Sequence, residues 1–344
     1  MADALEALIK KAEKKFGPEA IIRGSQMPRE LPRATTGSLS FDLMLGGGWP
    51  LNQWNEIIGM EHSGKTVMTA KTIAANQALD PNYQTLWVAS ETFVPDWMEK
   101  LGVDLDRVHV FQTGIIEDAF QTIHDWSQSR AVDAIVLDSY PALSPRAEEE
   151  KDIGEMSPGR AAILAGQFFR KTGSSTKRLL LSPDRPILGI FINQWREKIG
   201  VMHGDPRTTP GGKAKNFSFF TRVEVSRVEW IKAGSGSAAD RVGTVMKART
   251  LKNKTAPVGR QAQVDFYFSD WDGHTAGSYD RVKEVTNTAL LCDIIERKGA
   301  WYQFREYRWQ GKDAVFEEVQ QDLTLQMALD EEVRKYVLHD DSDA

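Results

Sequence analysis

A chain of 344 residues with 43 Lys and Arg against 48 Asp and Glu carries a formal charge of −5. That balance excludes a uniformly polybasic surface, so any nucleic-acid contact must come from local patches. The length accommodates a large core plus one or two smaller modules, and no apolar run approaches the ~20 residues of a membrane span. Cys292 is the one cysteine; it cannot form an internal disulfide, which suits a reducing cytoplasm.

In chain order, MADALEALIKKAEKKFG places Leu5, Leu8, Ile9, Ala12 and Phe16 at helical spacing among charges, the pattern of an amphipathic helix rather than a signal peptide. AIIRG reads as a short strand and PRELPR as a proline-punctuated linker. A lone helix and strand cannot bury their own apolar faces, so residues 1–33 must dock on the core or on another subunit. From residue 34 to about 268, apolar runs (EIIG, TLWVAS, AIVLD, ILGIFIN) alternate with helical stretches, which predicts an α/β core with a mostly parallel twisted sheet flanked by helices. FTRVEVSRVEWI and GTVMKARTL, separated by KAGSGSAADRV, read as a hairpin at the sheet edge. The polar loop SDWDGHTAGS then opens residues 269–344, a charged, helix-rich module expected to be a small α+β domain, ending in the acidic tail HDDSDA.

Chemistry concentrates in EIIGMEHSGKTVMTA. Gly59 to Thr66 fits G-x-x-x-x-G-K-[ST] between a buried strand and a helix, the P-loop arrangement. Gly59 and Gly64 let the loop, with Glu61, His62 and Ser63, curl so that its N–H groups converge beside the positive end of the helix that continues through Val67. Lys65 would reach the β- and γ-phosphates and Thr66 would hold Mg²⁺. AIVLD ends in Asp138, the placement of a Walker B aspartate bound to Mg²⁺ through water. TLWVASE sets Glu91 beyond a strand's C-terminal end, where ligands gather in open α/β sheets and where a carboxylate can accept a proton from the attacking water. ILGIFINQ ends in Gln194, a neutral amide able to sense a γ-phosphate.

Local charge runs the other way from the total. Between Gln194 and Arg227 seven Lys and Arg face three acids, and between Lys247 and Arg260 five face none. QWREKIGVMHGDPRTTPGGKAK joins Arg196, Lys198, Arg207 and Lys213 to apolar Ile199, Val201 and Met202 and to the hinges Gly200, Gly204, Gly211 and Gly212. Such a loop gives sequence-independent backbone affinity, and its apolar tips can wedge between bases.

TTGSLSFDLMLGGGWP, GMEHSGKT, LGVDLDRV, AVDAIVLDSYPALSPRAEEEKDIGEM, FINQWREKIGVMHGDPRTTPGGKA and LKNKTAP, in this order over nearly the whole chain, resemble the bacterial RecA family of ATP-dependent homologous recombinases. The divergent surface points to a phage or prophage type. The resemblance implies a RecA-like P-loop core, ATP and Mg²⁺ as cofactors, and a cytoplasmic homo-oligomeric helical filament. That filament would form on single-stranded DNA, pair it with homologous duplex DNA and exchange strands, with no membrane partner. Glu91 matches the family's catalytic glutamate, Asp138 its Walker B residue, and Gln194 the glutamine that couples the γ-phosphate to DNA. Two DNA-binding loops would lie at 152–160, reaching Arg160, and at 195–209, with Trp195, Arg196, Ile199, Arg207, Thr208 and Thr209, followed by Gly211, Gly212 and Lys213. Lys252 and Lys254 match lysines that reach the ATP of the adjacent subunit, and the N-terminal helix and AIIR match an arm that docks on a neighbour. Trp97 and Phe268 stand near adenine-stacking aromatics. ASE in place of the family's DAE, Pro158 in the first loop and Trp195 after Gln194 depart from the pattern. Two rivals share parts of this reading: a RecA-fold helicase-like motor, and a single-stranded-DNA coat or mediator with vestigial hydrolysis, the latter separated by whether Glu91 works.

Overall fold

The computed structural model describes residues 2–17, 20–27, 31–149, 152, 159–179, 185–197, 207–234 and 239–339. A nine-stranded sheet organises them. From one edge to the other its order is Ser278–Tyr279, Gln261–Tyr267, Asp240–Lys252, Thr221–Ala233, Gln53–Gly59, Leu188–Gln194, Ala134–Asp138, Thr85–Ala89 and Val108–Gln112. The six strands from Thr221–Ala233 to Val108–Gln112 run parallel, and the three outer pairings at the other edge are antiparallel.

The parallel strands read as unbroken apolar runs because both faces are covered. Ile57, Val136 and Ile190 point into one core with Trp49, Met68, Ile73 and Trp87. Their strand neighbours Trp54, Ile135, Leu137 and Phe191 point into a second core with Ile123, Phe168 and Phe219, as the two-residue strand period requires. The predicted hairpin forms, but not at the edge: Gln261–Tyr267 pairs on its outer side and Ser278–Tyr279 beyond that. The alternation of outward Gln261, Gln263 and Asp265 with buried Val264 and Phe266 carries that extra strand.

Three helices (Arg281–Leu291, Lys312–Gln321, Leu323–His339) and a three-stranded antiparallel sheet (Glu296–Lys298, Trp301–Phe304, Tyr307–Gln310) form the α+β C-terminal module. Its core takes Leu39 from the helix Leu39–Leu45 alongside Val285, Tyr302, Trp309, Val319 and Leu329. Buried Glu284 accepts from Ser40 N (2.8 Å), and Arg334 Nη1 reaches buried Asp42 (3.0 Å), so charge as well as apolar contact ties the module to the core. At the other end, the helix Ala2–Phe16 leaves Leu5, Leu8 and Phe16 more than 60% exposed. Residues 20–23 of AIIR form no strand and have no ladder partner among the described residues. The short strand of this region is Arg33–Ala34, paired with Trp49–Pro50.

Candidate active site

Four parallel strands deliver the site from their C-terminal ends. Gly59 is the register partner of Gln194, and Ala89, two residues before Glu91, is the partner of Asp138. The sheet therefore sets the P-loop, both carboxylates and the amide along one rim, where open α/β sheets bind ligands. Glu61, His62, Ser63, Gly64, Lys65, Thr66, Val67, Glu91, Trp97, Asp138, Gln194 and Phe268 all line a single cleft of about 930 Å³. Gly59 lies beneath it, where an added Cβ would collide with Ser63 Oγ and Val225 O. Gly64 caps the helix Lys65–Leu79 with φ 94°, and a Cβ there would come within 2.6 Å of Met246 Cε. Gly59 needs glycine for space, because Val225 O is backbone, and Gly64 needs it for its left-handed conformation. Ser63 Oγ is buried with no hydrogen-bond partner among the described residues, so the curl leaves a polar atom for a ligand to satisfy.

At the P-loop end, Lys65 Nζ donates to Met60 O (2.7 Å), and Thr66 Oγ1 donates to Asp138 Oδ2 (3.1 Å). Burial lowers the Lys65 pKa, opposed by Glu91, Asp138 and Glu61. Burial first and the Glu91 charge second push Asp138 up to about 6, against the Thr66 bond and Lys65. Lys65 offsets the acidic pair only in part, which leaves the electrostatic condition that a divalent metal meets. Glu91 accepts from Ser139 Oγ and, at 3.4 Å, from Gln194 Nε2. A carboxylate held by a hydroxyl, with the amide within reach, is placed to orient a water and to register what binds beside Gln194.

The opposite end is aromatic. Trp97 meets Phe266 edge to face at 6.5 Å between ring centroids, and Phe268 meets Trp230 at 6.1 Å. Trp97, Phe266, Phe268 and Trp230 all line the cleft, as do Thr244 and Met246. Arg227 and Arg241 lie over the Trp230 ring at 4.0 and 4.6 Å. Phe266, Trp230 and Met246 escape the sequence reading, since only the sheet brings these outer strands to the P-loop.

The second loop leaves the rim directly after Gln194. Arg196 pairs with Thr208 and Glu197 with Arg207, so its two stems close as a short ladder. Trp195 Nε1 (3.0 Å) and Arg207 Nη1 (2.7 Å) donate to Glu224 Oε1, and Arg249 Nη2 (3.1 Å) donates to Oε2. The Arg207 guanidinium also lies 4.9 Å from the Trp195 ring. Arg196 is exposed and reaches Pro141 O at 3.5 Å, while Thr209 is buried. Gly211 and Gly212, both at positive φ, open the helix Gly212–Ser218, which contains Lys213. Arg160 is exposed at the first turn of the helix Arg160–Leu179. Ile199, Lys198, Gly200, Val201, Met202, Gly204 and Pro158 lie outside the described residues.

The RecA N-terminal domain family model matches residues 3–271. The chain is 37% identical over 314 residues to Protein RecA of Bacillus thuringiensis (strain Al Hakam), covering 90% of this chain and 86% of that one. It is 34% identical over 337 residues to Protein RecA of Bacillus licheniformis, covering 97% and 91%. The chain belongs to the RecA family. As a RecA-family protein it is a DNA-dependent ATPase and an ATP-dependent homologous recombinase.

Two lysines expected at the RecA-family nucleotide are not brought to it within one chain. Lys252 Nζ donates to Asn216 O (2.9 Å) and Phe217 O (3.0 Å), at the C-terminal turn of the helix Gly212–Ser218. Lys254 lies 5.3 Å from the Phe220 ring. Lys65 is the only lysine or arginine among the described residues that line the cleft.

Proposed function

We propose that this RecA-family recombinase polymerises on single-stranded DNA in the cytoplasm as a homo-oligomeric helical filament. It admits homologous duplex DNA, exchanges strands, and hydrolyses ATP between subunits to release the product. The observation that carries the reading is the convergence of Lys65, Thr66, Glu91, Asp138 and Gln194 on one cleft with an aromatic far end. Lys65 and the loop N–H groups bind the phosphates, and Trp97 and Phe268, with Trp230, enclose the base. Glu91 takes the proton of the attacking water, and Gln194 registers the γ-phosphate. Thr66 and Asp138 fit Mg²⁺: they are adjacent oxygen donors, and Asp138 is a buried carboxyl whose charge Lys65 offsets only in part. Bound there, Mg²⁺ supplies charge neutralisation on the phosphate oxygens.

Arg160, Trp195, Arg196, Ile199, Arg207, Thr208, Thr209 and Gly211 to Lys213 form the DNA-contacting set, Lys252 and Lys254 act on the neighbour's nucleotide, and residues 1–33 dock on the neighbour's core. Residues 34–268 then serve as the ATPase core and 269–344 as the C-terminal domain. The exposed apolar face of the helix Ala2–Phe16 supports the docking role. The test is an ATPase assay with and without single-stranded DNA beside a strand-exchange assay between a circular single strand and a homologous linear duplex. DNA-stimulated turnover with joint-molecule formation is expected. DNA coating without either would return the protein to the coat or mediator class.

A further inference from the structure

Beneath the P-loop lies an ionic network that the hydrolytic reading leaves unused. Glu56, three residues before Gly59, is fully buried. Its Oε1 accepts from both Asn193 Nδ2 (2.8 Å) and Lys215 Nζ (2.8 Å), and its Oε2 accepts from Arg222 Nε (2.6 Å). Lys215, itself 1% exposed, also donates to Thr209 Oγ1 (2.7 Å) and Asn216 Oδ1 (3.1 Å). Apolar side chains of similar volume would hold these elements together at least as well as buried ions, because desolvation offsets the attraction.

What the ions add is connection. Asn193 immediately precedes Gln194 and accepts its N–H on Oδ1 (2.9 Å). Thr209 closes the second loop. Arg222 faces Lys252 across the sheet, and Lys252 holds the carbonyls of the two residues that follow Lys215. One oxygen, Glu56 Oε1, is shared by the residue beside the γ-phosphate amide and the residue that grips the loop. A shift of Asn193 therefore changes what Oε1 offers Lys215, and Lys215 has Thr209 and Asn216 as alternative acceptors. A buried network of this kind, in which acceptors are shared, has discrete rather than graded arrangements.

We propose that Glu56 and Lys215 are positioning residues that couple the nucleotide to the DNA loop, through the route Gln194, Asn193, Glu56, Lys215 and Thr209. The inference rests on the reading of the cleft and loop given above and adds the link between them. It is tested on the full-length protein by measuring affinity for labelled oligodeoxythymidine with ADP and with a non-hydrolysable ATP analogue, alongside nucleotide affinity without DNA. The wild-type ratio of the two DNA affinities should lie in the usual allosteric range of about 5–150-fold.

Lys215→Met should bring that ratio to within about twofold of unity while nucleotide affinity stays within about threefold. Glu56→Gln combined with Lys215→Met should lower the ratio no further than Lys215→Met alone, as members of one route do. Because a variant of a buried charge can fail to fold, Asn193→Leu, which changes no charge, supplies the second arm: it removes the donor to Glu56 and should also bring the ratio to within about twofold of unity. A ratio unchanged in folded Lys215→Met or in Asn193→Leu, or equal losses with both nucleotides, overturns the proposal and leaves the network a structural one. A wild-type protein whose DNA affinity ignores the nucleotide overturns the reading of the site, and the coupling with it.

Discussion

Asp138 is ionised with difficulty, since burial and then Glu91 hold its pKa near 6. Between the ordinary carboxyl value and about 6 the folded chain binds the extra proton, so this group favours the folded state at low pH. That contribution is lost as pH rises through about 6. A divalent cation beside Asp138 offsets the loss only where the carboxyl is ionised. Mg²⁺ with nucleotide should therefore raise the melting temperature more at about pH 7.5 than at about pH 5.5, and Asp138→Asn should flatten the difference; thermal melts at the two pH values check it. Glu91→Gln should retain nucleotide binding and slow hydrolysis roughly 10²–10⁴-fold, read in single-turnover experiments. A near-normal rate would assign the proton to another group. Both carboxylates, like Lys65 and Thr66, are legible in the sequence because each ends or follows a local strand pattern. Trp230 is not, because its place in the cleft depends on where a strand about 170 residues from the P-loop joins the sheet.

Elements rather than single residues shape the proposed DNA face. The second loop is stapled at both stems to the strands Thr221–Ala233 and Asp240–Lys252 by Glu224, which takes Trp195, Arg207 and Arg249 together. Arg207 is thus already oriented, at the cost of a competing carboxylate. Arg207→Ala should weaken single-stranded DNA binding alike for all sequences and flatten the salt dependence by about 0.7, the slope carried by one neutralised phosphate, measured by anisotropy titrations over a salt series. A loss confined to particular sequences would mean base readout. The sequence announces the loop through its glycines and basic residues, but not Glu224, whose role arises only from cross-strand neighbours. The hairpin is equally legible as a pair of strands, whereas its interior place is not, since neither strand's own pattern says what pairs outside it. AIIR does not form its expected strand either: residues 20–23 pair with no strand among the described residues.

The proposed filament sets a second copy of the whole molecule against two features of the first. An apolar helix face stands open at its N-terminus, and the cleft, which must hold a polyphosphate, has Lys65 as its only lysine or arginine among the described lining residues. Phosphoryl transfer leaves charge on the equatorial oxygens that one lysine does not neutralise, and a cation supplied in trans can be worth several powers of ten in rate. Lys252 and Lys254 occupy an acid-free stretch away from their own cleft. The variant carrying Lys252→Ala and Lys254→Ala removes one cation from the end of the helix Gly212–Ser218, at about 0.3–1 kcal/mol, and one from the face of Phe220, at about 0.5–1 kcal/mol. It should therefore fold and bind ATP as a single chain, yet lose DNA-stimulated hydrolysis and cooperative assembly. Mixed with Glu91→Gln, it should regain part of the activity that neither shows alone. At one kind of junction, the intact lysines of the Glu91→Gln subunit meet the intact Glu91 of the other. Turnover is followed against the mixing ratio, with co-assembly on DNA monitored by energy transfer between labelled subunits. Silence in mixtures that do co-assemble, or normal hydrolysis by the double-lysine variant, would place the complete active site within one chain.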